Sequence, residues 1–336
     1  MSTWSRFALL AFACFALVPL HAAAWDRGRV ERFATLPPGA ANPEGITVDR
    51  HGDVYVTTFA VTGAPPGRLF VFDDDGRLKR ALEVANSSNL LLGVAFHPFT
   101  RDLLVVDFGA GNVLRVDPHN GASSVFAAIP GGGLNALAFD RAGNVYVSDS
   151  GRGIIWRTGP GGGTPVAWVD HPLLRTTGFP PFGANGLDFN RAEDALFVAN
   201  TGDDTVIRIP VSAGSPGTPA VFVNSVNGAD GLFVDEHDNV WICANQADEI
   251  VVVDPTGRAI AKLGDFNGLR RGAPRGLLFP ASLVRHGGWL YVTNLSLDLR
   301  LFGLPQSVDS QWAAEVTSHT ISRLRARIPR RDSDDD

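Results

Sequence analysis

The sequence has only two cysteines among its 336 residues, Cys14 and Cys243. Cys14 lies in an apolar N-terminal run that we predict to be cleaved, so the mature chain would keep one thiol and could form no internal disulfide. Cys243 lies in the strand-like stretch VWICA, where a thiol serves as a small apolar side chain. A disulfide-stapled fold is therefore excluded, and a chain of this length can bury a core large enough to be stable without one.

Positive charge is also scarce, with 29 Lys and Arg residues against 35 Asp and Glu residues and a net charge of −6. The chain has no basic run or stripe, so nucleic acid is not expected among its partners. Four of the acidic residues fall in the C-terminal stretch RRDSDDD. We predict that residues 329–336 form a disordered, acidic tail.

Long apolar runs are absent except at the N-terminus, where residues 7–20 follow Arg6 and precede three alanines. This order is typical of a signal peptide cleaved before Trp25, so residues 1–24 are predicted to be one. An uncleaved anchor is the alternative, but Pro19 and His21 interrupt the stretch that would have to span a bilayer. The mature protein is expected to be secreted or periplasmic, with no stable membrane insertion.

What the chain does have is a repeat. Stretches such as EGITVDRHGDVYVTT and NALAFDRAGNVYVSDS recur 43 to 50 residues apart, and each contains an apolar strand, a polar turn and a second strand. A third strand and a looser fourth strand follow. The repeats begin at Glu44, Leu92, Asn135, Asn185 and Asp230, with a degenerate sixth near Ala281. Four strands in each of six units predict an all-β fold, a six-bladed β-propeller, rather than an open β-solenoid with its shorter coils.

The sequence also indicates how the ring closes. The stretch TISRLR at 320–325 has the third-strand pattern, and no fourth strand follows it. The stretch RVERFATL at 29–36 precedes the first repeat and could supply that strand. We therefore predict one propeller domain over residues 25–328, closed by pairing of its N- and C-terminal strands.

One position in each repeat lies just before the small residue of the first strand. In a propeller the first strands line the central channel, so equivalent positions should converge at one level of the axis. Two carboxylates in a restricted cavity are costly unless they are protonated or countered by a cation, and oxygen donors alone suit Ca²⁺ better than Zn²⁺. The predicted metal ligands are Glu44, Asn135, Asn185 and Asp230. Taken singly, each could instead be an ordinary turn or loop residue.

These motifs, PEG at Glu44, LNA at Asn135, ANGL at Asn185 and ADGL at Asp230, resemble the metal-site motifs of the senescence-marker-protein, gluconolactonase and regucalcin family. The resemblance implies a six-bladed propeller with a divalent metal ion, often Ca²⁺, that hydrolyses lactones, esters or organophosphates. Members that act on sugar lactones carry an arginine and an aspartate where this chain has Gly133 and Ala136. An aldonolactone is therefore not predicted as the substrate.

By the same resemblance, Asp230 is the expected catalytic residue, as a base or as a nucleophile. Long loops on the ligand face predict further contacts with a small-molecule substrate, and their candidate residues are His171, Arg270, Arg271 and Trp312. The function expected is that of a metal-dependent hydrolase. A non-catalytic binding propeller with a structural Ca²⁺ and a lyase remain alternatives, because the fold hosts all three.

Overall fold

A computed structural model describes residues 25–304 and 308–329 of the chain. The predicted signal peptide and all but the first residue of the predicted acidic tail lie outside these ranges. The described residues form an all-β structure of six sheets arranged in a ring, as predicted, of which five have four strands and one has five. No helix in the described ranges is long and apolar enough to cross a membrane.

Each blade is an antiparallel sheet whose first strand faces the axis. The strand β1 (Glu31–Thr35) precedes the first blade. Blades 1 and 2 consist of β2 (Asn42–Val48), β3 (Val54–Phe59), β4 (Arg68–Phe72), β5 (Leu78–Glu83), β6 (Leu91–Phe96), β7 (Leu103–Asp107), β8 (Asn112–Val116) and β9 (Ser123–Ala128). Blades 3 and 4 consist of β10 (Leu134–Phe139), β11 (Val145–Asp149), β12 (Ile154–Gly159), β13 (Gly162–Asp170), β14 (Ala184–Phe189), β15 (Ala195–Asn200), β16 (Thr205–Ser212), β17 (Ser215–Pro216) and β18 (Ala220–Val223).

Blade 5 and the strands of blade 6 follow in the same order along the chain. They are β19 (Ala229–Val234), β20 (Val240–Ala244), β21 (Glu249–Val253), β22 (Ala259–Leu263), β25 (Pro280–His286), β26 (Trp289–Asn294) and β27 (Thr320–Arg325). A separate hairpin of β23 (Phe266–Arg270) and β24 (Ala273–Gly276) connects the two blades. The connection from β26 to β27 contains a short 3₁₀ turn, Leu299–Phe302, and the helix α1, Val308–Ala313.

The turn between the first and second strands shows why the repeat recurs in sequence. In blade 3, the Asp140 carboxylate accepts hydrogen bonds from the backbone N–H groups of Ala142 and Asn144 at 3.0 and 2.8 Å. The Tyr146 hydroxyl donates to the same carboxylate at 3.1 Å. Asp49 and Asp235 occupy the same place in blades 1 and 5, with the same pattern of donors. An aspartate before the turn and an aromatic residue after it thus form one structural unit.

The core is divided into six apolar clusters, five of which lie between two neighbouring blades. The sixth lies between blades 2 and 3 and extends to Phe59 of blade 1 and Ala281 of blade 6. Second strands such as β7 and β20 are buried along their whole length, because a blade packs on each face. Outer strands such as β5 are largely exposed. This explains why the second strands are continuous apolar runs while the fourth strands are hard to recognise.

The ring closes as the sequence predicts. β1 pairs with β27 as the outer strand of blade 6, with Ala34 opposite Ile321 and Thr35 opposite Thr320. Phe33 is only 7% exposed, and its ring meets Tyr291 edge-on at 4.8 Å between centroids. The closing strand therefore completes the apolar cluster between blades 6 and 1.

The mutation Phe33→Ala should destabilise the fold by about 3–5 kcal/mol, because it leaves a cavity in the cluster that joins the two ends of the chain. Urea unfolding measures this loss. The matched control is Phe99→Ala, which removes a ring that is 61% exposed and should change the free energy of unfolding by less than about 0.5 kcal/mol. Equal losses in the two variants would show that β1 contributes little to closure.

His319 lies at the same junction, where its backbone carbonyl accepts a hydrogen bond from Leu36 at 2.9 Å. Burial lowers the pKa of His319 to about 4, and its Nδ1 atom has no hydrogen-bond partner. As the pH falls, His319 is therefore protonated at a higher pH in the unfolded chain than in the folded protein. The contribution of His319 to stability is complete above pH 6.5 and is lost progressively towards pH 4.

Replacing His319 with Gln should remove this loss. Between pH 7 and pH 5 the wild-type protein should lose on the order of 1–2 kcal/mol more stability than the variant. The measurement is the free energy of unfolding of both proteins at the two pH values, and the difference between them cancels the titration of other groups. Parallel pH profiles would show that His319 has the same pKa in the folded and unfolded chains.

Candidate functional site

The four predicted ligand residues lie on four first strands that surround the axis. Each first strand contacts the first strand of the next blade, so β2, β6, β10, β14, β19 and β25 form a closed ring. Glu44, Asn135, Asn185 and Asp230 are all buried. Together with Leu92, the residue at the same register of blade 2, they line one axial cavity of about 40 Å³.

A β-bulge at the same place in every blade turns these side chains toward the axis. The pairing of first and second strands is interrupted for two residues, for example between Pro43 and Ile46 in blade 1 and between Ala229 and Leu232 in blade 5. The other four blades have the same interruption. A bulge commonly re-aims a side chain next to a functional site. It also identifies Ala281 as the equivalent residue in blade 6.

A glycine follows three of the four candidate ligands, and at these three places the backbones of neighbouring blades approach closely. A Cβ atom on Gly186 would lie 2.6 Å from the carbonyl oxygen of Asp230 and 2.7 Å from the Cα atom of Gly231. Gly45 and Gly231 pack equally closely against the backbones of the next blades. Only glycine allows this approach, so the glycines set how near the ligand residues come to one another.

Hydroxyl groups on the second strands fix the backbone of the first strands. The Thr293 hydroxyl donates to the carbonyl oxygen of Glu44 at 2.7 Å, across the junction between blades 6 and 1. In blade 1, the Thr57 hydroxyl accepts a hydrogen bond from the Gly45 N–H group at 3.0 Å. The backbone at Glu44 is therefore held by the second strand of its own blade, β3, and by the second strand of blade 6, β26.

The two carboxylates share a cavity with little compensation for their charge. Burial, and secondly the charge of Asp230, raise the pKa of Glu44 well above its usual range. Burial also raises the pKa of Asp230 to about 7, although the neighbouring amides of Asn245 and Asn185 lower it in part. One oxygen of each carboxylate, Glu44 Oε2 and Asp230 Oδ1, is buried without a hydrogen-bond partner. Such atoms are rare in folded proteins, and a cation, a proton or a water molecule would satisfy them.

Two residues that support the site were not identified from the sequence. The Asn245 amide donates to Asp230 Oδ2 at 2.8 Å, and the Asn185 amide donates to the Thr201 hydroxyl at 3.0 Å. Thr201 in turn donates to the carbonyl oxygen of Ala229 at 2.7 Å. Asn245 and Thr201 directly follow the second strands β20 and β15, so polar residues at the end of a second strand were the available signal.

The residues predicted to bind substrate do not line the cavity formed by the described part of the chain. The ring of His171 accepts a hydrogen bond from the backbone of Leu173 at 3.2 Å and caps a 3₁₀ turn. Arg270 lines a surface cleft beside the hairpin, and Arg271 lies in the hairpin turn. Trp312 on α1 packs edge-on against Phe266, with 5.5 Å between ring centroids. Their role in substrate binding stays a prediction.

The donor set at the axis consists of oxygen-bearing side chains. In residues 25–304 and 308–329, no three carboxylate, imidazole or thiol groups form a cluster that could hold a metal ion. The axial cavity instead combines two carboxylates with two amides. A hard cation with oxygen ligands fits this set, and a cation that prefers nitrogen or sulfur does not.

Fold and site together define a six-bladed β-propeller with an acid–amide cluster on its axis. Residues 134–264 match the family model described as the SMP-30/Gluconolactonase/LRE-like region, which confirms the predicted resemblance over these residues. The match includes Asn135, Asn185 and Asp230, whereas Glu44 precedes it. None of the curated proteins compared with the chain matches it significantly.

Solved structures share the architecture over nearly the whole chain. A gluconolactonase from Xanthomonas campestris is 15% identical, with 90% of this chain and 91% of that one aligned and a TM-score of 0.64. Regucalcin from Agrobacterium tumefaciens, described as a calcium-binding protein, is 16% identical, with 88% and 97% aligned and a TM-score of 0.60. A virginiamycin B lyase from Staphylococcus aureus is 12% identical, with 89% and 99% aligned and a TM-score of 0.54. At identities this low, the structural similarity establishes a common fold and no more.

The mutation Gly186→Ala should separate blades 4 and 5, because the new Cβ atom meets backbone atoms that cannot rotate away. The expected loss of stability is about 1–3 kcal/mol, measured by chemical unfolding. Gly159→Ala is the control, since a Cβ atom there would have nothing within 4 Å. A variant of Gly186 as stable as that of Gly159 would contradict the close approach of the first strands.

Proposed function

We propose that the protein is a hydrolase of lactone, ester or phosphoester bonds that depends on a divalent metal ion, most simply Ca²⁺, held at the axis of the propeller. The observation that carries the proposal is the pair of buried carboxylate oxygens without partners, Glu44 Oε2 and Asp230 Oδ1, in one cavity with two amides. Two buried charges of the same sign are costly, and a divalent cation would balance them.

The ligands of this ion would be the side-chain oxygens of Glu44, Asn135, Asn185 and Asp230. The Asn185 amide nitrogen already donates to Thr201, so its carbonyl oxygen is the atom left for a cation. A formal charge of −2 with neutral oxygen donors is typical of Ca²⁺ sites. When bound, the ion would supply a Lewis acid able to polarise a carbonyl or phosphoryl oxygen.

The chain itself would supply proton transfer. The Asn245 amide donates to Asp230 Oδ2, and Oδ1 has no hydrogen-bond partner. As a base, the Asp230 carboxylate would take a proton from a water molecule whose oxygen bonds to the acyl carbon. The bond from that carbon to the leaving oxygen then breaks, and the proton returns to the alcohol. Direct attack by Asp230 on the acyl carbon is the alternative.

A binding propeller with a structural Ca²⁺ is the second candidate. It is favoured by the absence of any arginine, lysine or histidine from the described cavity lining, since such a residue could protonate a leaving group. In both cases we propose that the partner is a small molecule and that the mature protein is exported, as the N-terminal pattern indicates.

Purified protein should contain close to one equivalent of bound divalent ion, and EDTA should abolish hydrolysis of a panel of lactones and aryl esters, with recovery after addition of Ca²⁺. Asp230→Asn halves the formal charge of the site and should weaken Ca²⁺ binding at least tenfold in calorimetry. Leu92→Met, at the equivalent position without an oxygen donor, should bind Ca²⁺ as the wild type does.

The two candidates give different results in this experiment. Bound ion with turnover that EDTA removes supports the hydrolase, and bound ion without turnover supports the binding propeller. Equal loss of Ca²⁺ from Asp230→Asn and Leu92→Met would contradict both, because packing of the blades and not coordination would then explain the pattern.

A further inference from the structure

The wall of the axial cavity is apolar wherever it does not consist of candidate ligands. Eight of its lining residues are carbon-rich side chains from the loops of the ligand face and from the strand ends next to them. They are Phe59, Leu92, Phe108, Pro180, Phe182, Phe279, Leu295 and Leu297. A concave site of this kind takes up ligands mainly through their apolar parts.

The polar groups in the lining are already engaged. Thr201 accepts a hydrogen bond from Asn185 and donates to the carbonyl oxygen of Ala229. The Asn245 amide donates to Asp230, and its oxygen accepts a hydrogen bond from Gln246 at 3.0 Å. Only the four oxygen-bearing ligand residues remain, and the proposed ion would occupy them. A substrate rich in hydroxyl groups would therefore lose its hydrogen bonds to water without gaining replacements.

Two glycines lie next to Phe108 and add no side chain to the cavity wall. Positions 133 and 151 are both glycine, and a Cβ atom on Gly133 would lie 3.1 Å from the backbone nitrogen of Gly151 and 3.5 Å from the Phe108 ring. Because these two glycines have no side chains, the Phe108 ring forms this part of the cavity wall. The described lining also contains no cationic side chain that could pair with an anionic group of a substrate.

A row of four phenylalanines leads from the solvent into the cavity. Phe302, which is 38% exposed, stacks on Phe59 with 6.1 Å between ring centroids. Phe59 meets Phe108 at 5.9 Å, and Phe108 meets Phe182 at 6.4 Å. We call Phe302, Phe59, Phe108 and Phe182 the phenylalanine row. An exposed apolar surface that continues into a cavity is a feature of ligand-binding grooves.

We propose that the molecule bound and hydrolysed at this site is an uncharged, apolar ester or lactone, whose alkyl or aryl part lies along the phenylalanine row while its carbonyl group enters the axial cavity. This inference rests on the proposed function for its chemistry, but the preference of the cavity for apolar ligands can be measured separately.

The experiment compares two six-membered lactones that differ in polarity, δ-decalactone and glucono-δ-lactone, with Ca²⁺-loaded protein. The kcat/KM value for δ-decalactone should be at least 100-fold higher. In parallel, calorimetry measures binding of the two corresponding lactams, which resist hydrolysis, and the alkyl lactam should bind at least tenfold more tightly. Phenyl acetate should likewise be preferred at least tenfold to its 4-carboxy derivative, because the described cavity wall has no cationic side chain to pair with the carboxylate.

Phe182→Ser should weaken binding of the alkyl lactam about tenfold and leave Ca²⁺ affinity unchanged. Phe182→Leu, which keeps an apolar side chain, should restore most of the affinity. Phe99→Ser is the matched control, because it changes an exposed phenylalanine that does not line the cavity. An unchanged affinity in Phe182→Ser would overturn the assignment of the phenylalanine row.

The two proposals fail in different ways. Tighter binding of the alkyl lactam without hydrolysis of any substrate would refute the hydrolase and support the apolar ligand class. Equal or tighter binding of the glucono-lactam would overturn the apolar ligand class, whether or not the protein hydrolyses lactones.

Discussion

The close approach of six backbone segments at the propeller axis is the constraint on which the rest of the structure depends. Gly45, Gly186 and Gly231 pack directly against the backbone of the next blade, and no larger residue fits in these places. The approach brings residues from separate repeats into one small cavity, and the bulge in each first strand turns their side chains inward. The same closeness buries Glu44 and Asp230 together, and burial with the charge of Asp230 raises the pKa of Glu44 well above its usual range.

Ring closure and the site belong to one arrangement. Strand β1 completes blade 6, and the second strand of that blade carries Thr293, whose hydroxyl holds the backbone of Glu44. The first candidate ligand in the chain is therefore positioned by a residue 249 positions later. A defect in closure at the outer edge of blade 6 would be transmitted to the axis through β26, because its strands are hydrogen-bonded across the whole blade.

The sequence was sufficient to predict the repeats, the closing strand and the four residues that meet at the axis, since each is repeated or placed at a fixed register. Asn245 and Thr201 were not predicted, because their roles depend on which atoms face each other across a bulge. His171, Arg270, Arg271 and Trp312 were chosen from the face on which their loops begin. A turn cap, a separate hairpin and a short helix direct these side chains elsewhere than the cavity, and only tertiary packing determines such directions.

The bulge is present in all six blades, yet only four of the six positions carry an oxygen-bearing side chain, while Leu92 and Ala281 occupy the other two. Leu92 already lines the cavity. A single codon change at such a position could alter the number or charge of the donors without altering a strand, a turn or the closure. Substitutions at these positions can therefore change the chemistry of the site while the fold stays the same, one blade at a time.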